Sequence, residues 1–312
     1  MAQPTNTFDT YDAIGVREDL SDMIYNISPT DTWFMSTAGR GKVSNILTEW
    51  QTDALAAVDT ANAVIEGDDA TLDAVTATAR VTNRTQISDK TVVISGTEEV
   101  VDKAGRDSEL SYQITKKMAE LKRDMEAIIT QNQAVVVGDA TTARKLRSLE
   151  SWYTTNTSRG ATGASGSATT AATDGTQRDI TETLLKSVIQ QCYTAGGNPK
   201  YLLVGPVNKQ KVSGFTGGAT KMIDAEDAKL VAAVDVYRSD FGEIRVVPSR
   251  FARERTAHLL DMEYWSIGFL RTFRAFKLSK TGDSEKWQAL AEYTLLAKNQ
   301  GASGVIADLT VT

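Results

Sequence analysis

The alternation of apolar and polar positions divides the chain into a front without an evident core and a body that has one. Residues 1–45 scatter aromatics (Phe8, Tyr11, Tyr25, Trp33, Phe34) among turn formers such as Asn26, Ser28-Pro29, Gly39 and Gly41. Only 17–25 hints at a short helix, and Pro29 stops it. This pattern predicts an extended arm that buries its aromatics on something else. From Ile46 the period becomes two, with Ile46, Thr48, Trp50 and Thr52 alternating with Leu47, Glu49 and Gln51. After the turn signal Gly67-Asp68-Asp69, residues 74–85 are rich in Thr and Val, both strand formers. Two such runs around an acidic, Ala-rich tip predict a long two-stranded projection. A lone hairpin is marginal in water, so an exposed one calls for a partner.

The period then changes to that of a helix. Over 107–135, Ile114, Met118, Leu121, Met125 and Ile128 follow a 4-3-4-3 spacing behind Asp107 or Ser108 as cap. About 28 residues at 1.5 Å each predict a spine of roughly 40 Å. Residues 154–177 are a low-complexity tract, 20 of 24 being Gly, Ala, Ser or Thr. It can bury little apolar area and is expected as a flexible surface loop or linker. Thr181 then opens a helix carrying Leu184, Leu185, Val188, Ile189 and Cys192, stopped by Gly196-Gly197. Tyr201-Leu202-Leu203-Val204 reads as a buried strand, with Pro206 suited to the first turn of the helix after it. Residues 233–238 and 243–248 flank Ser239-Asp240-Phe241-Gly242 as a hairpin. Strands continue through 258–260, 264–267, 273–278, 286–298 and 304–311.

Charge sharpens this division. The 312 residues carry a net −6, but residues 1–100 hold 6 Lys/Arg against 16 Asp/Glu, and the remainder holds 28 against 24. An acidic front of −10 is therefore joined to a body of +4. A solvated acidic surface is the plain reading, and an acidic front lying on the basic body of another copy is the sharper one. No window has 18 uninterrupted apolar residues, and the N-terminus has no signal-peptide pattern, so no membrane partner is expected and the chain should stay in the cytosol where it is made. One cysteine and one histidine exclude an internal disulfide and a His-Cys zinc cluster.

Catalytic constellations are missing. His258 opens an apolar strand and Cys192 lies on the apolar face of a helix, both structural positions. There is no phosphate-binding G-x-x-x-x-G-K-[ST] and no nucleophile elbow. Glu66, Asp68, Asp69 and Asp73 lack the ligand spacing of a calcium loop and read as a solvated tip. The chain is therefore expected to be no enzyme and to hold no cofactor or metal; a carboxylate-dependent hydrolase is the enzyme reading that has least against it. Arg245, Arg250, Arg253, Arg255, Arg271 and Arg274, interleaved with Phe251, Phe269 and Phe273, permit general contact with nucleic acid, although strand periodicity turns these aromatics inward.

The order of parts is aromatic arm, acidic hairpin, spine helix, low-complexity loop, α/β segment and β tail. It is carried by Thr7-Phe8-Asp9-Thr10-Tyr11, by Tyr237 to Phe251 (YRSDFGEIRVVPSRF), and by Lys280 to Trp287 leading into Ala291-Glu292-Tyr293-Thr294-Leu295. In this order and spacing the chain resembles the major capsid proteins of tailed bacteriophages. The resemblance implies an α+β, Hong Kong 97-type fold. Residues 1–45 would be the N-terminal arm and 46–90 the extended loop. Residues 91–150 and 255–312 would form the peripheral domain, and 151–254 the axial domain. It implies self-assembly into pentamers and hexamers of an icosahedral head around double-stranded DNA, with non-specific DNA contact, located in the virion and assembled in the host cytoplasm. Encapsulin compartments share the fold and are the alternative.

Some relatives weld their shell through a lysine in the extended loop, yet residues 43–89 contain no lysine. Some begin with a scaffolding region, whereas here the arm motif starts by Phe8. A shell without covalent cross-links is expected, relying on a separate scaffold or decoration protein and a portal. For contacts between subunits the expected residues are Phe8 and Tyr11 in the arm, Trp33, Phe34 and Trp50 as hydrophobic anchors, and Arg80 and Arg84 as charge partners. Trp50→Ala is expected to weaken assembly while leaving the subunit folded.

Overall fold

The computed structural model describes residues 30–70, 72–101, 108–215 and 236–311. The 4-3-4-3 stripe folds as a helix, α3 (Glu109–Thr130), capped by Ser108, whose Oγ accepts the Ser111 N–H at 3.2 Å. It runs 22 residues, starting behind an expected cap and ending at Thr130, five residues short of the expected end. The expected residues 131–135 lead into three consecutive valines (135–137), poor helix formers, and Val136 bridges to Lys145. The buried stripe is Leu121, Met125 and Ile129, while Ile128 is only half-buried. Ile128 packs at the edge of this core, the drift expected when a 3.5-residue spacing is laid on a helix of period 3.6.

This helix packs on a four-stranded sheet ordered β1 (Gly39–Lys42), β10 (Trp265–Lys277), β11 (Ser284–Ala297) and β4 (Gln86–Ser95). β1 is parallel to β10 and the other pairs are antiparallel. The runs expected as 264–267 and 273–278 are one strand, kept continuous past two irregularities near Phe269 and Arg271. The core between helix and sheet holds Leu121, Met125, Trp265, Tyr293 and Leu295, closed by Phe34 on α1 (Trp33–Thr37). Two short helices, α2 (Gly96–Val100) and α4 (Leu149–Trp152), flank it.

A second core lies between α5 (Glu182–Thr194), α6 (Pro206–Ser213) and a six-stranded sheet. Its order is β5 (Thr157–Ser158), β12 (Gly304–Ala307), β9 (Thr256–Leu260), β6 (Tyr201–Val204), β8 (Gly242–Pro248) and β7 (Val236–Ser239). Thr181 caps α5 as expected, accepting the Leu184 N–H, and Gly196 (φ +86°) ends it in a conformation natural to glycine. Gly304 lets α5 approach β12: a Cβ there would lie 2.5 Å from Val188 Cγ1. Part of the expected 233–238 strand, residues 233–235, lies outside the described residues.

The low-complexity tract is corrected from a flexible loop to a seated one. Asp308 accepts N–H bonds from Gly160 at 3.0 Å and Gly175 at 2.6 Å, and Ala164 and Thr173 exchange backbone bonds. Arg253 joins Glu150 at 3.0 Å and also Asp174, while Arg159 lies 3.5 Å from Glu150. Small residues cannot bury much carbon, but their backbones can be satisfied by carboxylates distant in sequence.

Candidate assembly surfaces

β2 (Leu47–Thr52) and β3 (Ala79–Arg84) pair antiparallel from Leu47↔Arg84 to Thr52↔Ala79. The strand expected from Ala74 begins only at Ala79. Between the strands, residues 53–70 and 72–78 run without regular structure, because their Ala- and Asp-rich sequence is a poor strand former.

The root of this hairpin is fixed to its own subunit. Asn83 is buried and its side chain makes four hydrogen bonds: Nδ2 donates to Leu295 O (2.7 Å) and Arg147 O (3.3 Å), and Oδ1 accepts the N–H groups of Arg147 (2.9 Å) and Arg84 (2.8 Å). Thr85 Oγ1 donates to Glu292 at 2.9 Å, and Arg271 and Arg144 pair with the same carboxylate. Burial works against ionisation of Glu292, yet the Thr85 hydroxyl and the two arginines hold it below the usual carboxylate range.

The tip is different in kind. Leu55, Val58, Val64, Ile65, Leu72 and Val75 are between 78% and 99% exposed. Around them stand Asp53, Asp59, Glu66, Asp68, Asp69 and Asp73, with no lysine or arginine between Lys42 and Arg80. An apolar stretch of this extent on a segment without its own core marks an interaction surface.

The residues expected to reach neighbouring subunits divide accordingly. Phe8 and Tyr11 lie outside the described residues. Phe34 is corrected: it is 0% exposed inside its own subunit and has no surface to offer a neighbour. Its N–H and that of Met35 donate to the two oxygens of buried Glu126, each at 2.8 Å, and burial raises the Glu126 pKa. Trp33 is half-buried, with its ring edge-on to Tyr201 at 5.1 Å. Trp50 is also half-buried, tilted on Trp152 at 5.7 Å, and its Nε1 donates to Ala297 O at 3.0 Å. Trp50→Ala would therefore loosen the subunit as well as any contact it makes. Arg80 is exposed and reaches Glu49 across the hairpin at 3.7 Å, and Arg84 is half-buried at the end of β3. What sequence reading missed is the six apolar side chains of the tip. Their signal was present, as single branched residues spaced through an Ala- and Asp-rich stretch.

The groups that resembled chemistry are structural. His258 is wholly buried, its ring stacked on Tyr153 at 5.7 Å, and burial with Arg159 and Arg253 nearby pushes its pKa down to about 3. Burial pushes the Cys192 thiol up to about 12. Of the six arginines, Arg253, Arg255 and Arg271 are held in ion pairs with Glu150, Asp308 and Glu292. Among the described residues no helix is long and apolar enough to cross a membrane.

Residues 3–310 match the family described as SU10 major capsid protein. The major capsid protein of Escherichia phage Phieco32 is 29% identical, over 98% of this chain and 97% of its own length. The fold is similar to the capsid asymmetric unit of cyanophage A-1(L), with a TM-score of 0.63 at 13% identity over 97% of this chain and 98% of that one. It is also similar to the holo-SrpI encapsulin complex of Synechococcus elongatus, with a TM-score of 0.54 at 9% identity over 95% and 93%. The chain therefore belongs to the SU10 major capsid protein family, with a Hong Kong 97-type fold, and is a structural subunit of the phage virion capsid that assembles with copies of itself.

Proposed function

We propose that copies of this chain form pentamers and hexamers of an icosahedral head that encloses double-stranded DNA. The single observation that carries this is the set of six exposed apolar side chains on 53–78, a segment that has no core in its own subunit. Burying a Leu, Ile or Val side chain gains about 1.5–3 kcal/mol, partly offset by the ordering of a long segment. Repeated around a ring, such a contact between two different surfaces closes into a capsomer.

In this reading residues 1–45 are the arm, 46–90 the extended loop, 91–150 with 255–312 the peripheral domain, and 151–254 the axial domain. Two hydrophobic cores favour two bodies in outline, although β9 and β12, which belong to 255–312, complete the sheet of the second core. The loop carries no lysine between positions 43 and 89, so the shell holds without covalent welds and relies on a separate scaffold or decoration protein and on a portal. Contact with packaged DNA is general rather than sequence-specific. Electron microscopy of the purified protein, with nuclease treatment and a denaturing gel, tests the reading. Closed shells holding protected double-stranded DNA and running as one band are expected. Open aggregates, protein cargo in place of DNA, or a ladder of covalent multimers would contradict it.

A further inference from the structure

We propose that residues 154–177 are a strained strap with a closed and an open position, and that the closed position keeps the edge of β12 covered. The device belongs to the single subunit and does not depend on how copies assemble.

The closed strap is woven from backbone. Near its start, Thr157–Ser158 is β5, the edge strand that pairs with Val305 and Ile306 of β12. Its far part lies beyond the end of the spine helix. There the Val135 N–H donates to Ala168 O at 3.2 Å, and the Asn132 side chain holds the N–H and the carbonyl of Ala172 at 2.9 and 2.6 Å. Glycines stand where parts of this weave touch. A Cβ on Gly175 would lie 2.6 Å from Ala161 O, and one on Gly166 would lie 3.0 Å from Ser151 Cα. The composition that reads as looseness is what close backbone approach requires.

Backbone strain is concentrated in the same place. The non-glycine residues with positive φ among the described residues are Asn156 (+54°), Thr162 (+66°) and Asp308 (+60°). Two belong to the strap and the third anchors it. Asn and Asp enter this region readily, but a β-branched threonine does so only where its surroundings force it. The anchors supply that force. Asp308 accepts the Gly160 and Gly175 N–H groups on its two carboxylate oxygens, and Arg253 ties Asp174 of the strap to Glu150 on α4. Arg159 is drawn under with the strap: its side chain is 6% exposed, and its ion pair with Glu150 is 3.5 Å long. A strap that closes over a strained threonine and a loosely paired cation is held by its anchors rather than by its own conformation. Without β5, β12 would be the outermost strand of its sheet, and its four residues are all buried apolar or glycine. An apolar strand bared at an edge is a template for another chain, so the closed strap guards the sheet.

Limited trypsin digestion, with the cut between Arg159 and Gly160 followed by mass, tests the strap. Asp308→Asn removes the charge of the anchor and should speed this cut about tenfold, and its free subunits should form irregular aggregates as β12 is bared. Gly175→Ala crowds the weave from another side and should act in the same direction. Thr162→Gly relieves the strain and should slow the cut about threefold below the parent. Denaturant unfolding of each variant measures general loosening, and the cut should change by more than the unfolded fraction does. Cutting that only follows global unfolding would mean that the tract has no open position of its own and would overturn the proposal. Faster cutting of Thr162→Gly would remove the role of strain. Subunits of Asp308→Asn that are cut quickly yet stay dispersed in light scattering would refute the guarding of β12.

Discussion

The root and the tip of one hairpin obey opposite rules. At the root, the Asn83 side chain makes four hydrogen bonds, Thr85 and two arginines converge on Glu292, and Trp50 lies on Trp152. At the tip, Leu55 and Val75 are almost wholly exposed. The same contrast holds between the spine helix, where Leu121 and Met125 have no exposed surface, and residues 53–78, where nothing apolar is covered. A subunit built this way is stable by itself only in part. Its body is satisfied by its own chain, and in the proposed shell its outreach is satisfied by a neighbour.

Substitutions that separate the two regions should separate assembly from stability. Replacing Leu55, Val64, Ile65 and Leu72 together by Ser should abolish shells while the unfolding midpoint of the free subunit stays where it was; sedimentation and thermal melting check both. Leu121→Ala should reverse the pattern. It should cost the subunit about 2–5 kcal/mol in denaturant unfolding, since it leaves a cavity in the core. Shells from the first variant, or an unchanged midpoint in the second, would erase the comparison.

A smaller effect comes from His258. Folding holds its pKa near 3, whereas the unfolded chain protonates it near its ordinary value of 6.5. The contribution of the neutral ring is complete above pH 6.5 and is lost as the pH falls toward 3, by about 1.4 kcal/mol per unit. Glu126 and Glu150 act in the opposite sense: burial raises their folded pKa, and their contribution fades as the pH rises through it. His258→Phe should therefore flatten the acid side of the stability curve relative to the parent. Parallel curves would show that the histidine is not the source.

Much of the body was legible because its signals are local. The Thr181 cap, the Gly196 stop and the Ser239–Gly242 turn each depend on neighbours a few residues away. The misreadings were of partners far along the chain. Phe34 reads as an anchor for another subunit because an apolar side chain announces that it will be buried, not by whom. Its partner Glu126 lies about ninety residues away. The tract 154–177 was read as loose because its composition hides backbone bonds to Asp308. The charge division pointed to the front third as outreach, but not to the apolar side chains among its carboxylates.

Hydrogen exchange of residues 53–78, compared between free subunits and intact shells, tests the central claim most directly. If a neighbouring copy covers the tip, its amides should exchange freely in the subunit and become strongly protected in the shell, with the root at Asn83 protected in both. Equally fast exchange of the tip in both states would show that assembly leaves it bare, and the account would be wrong.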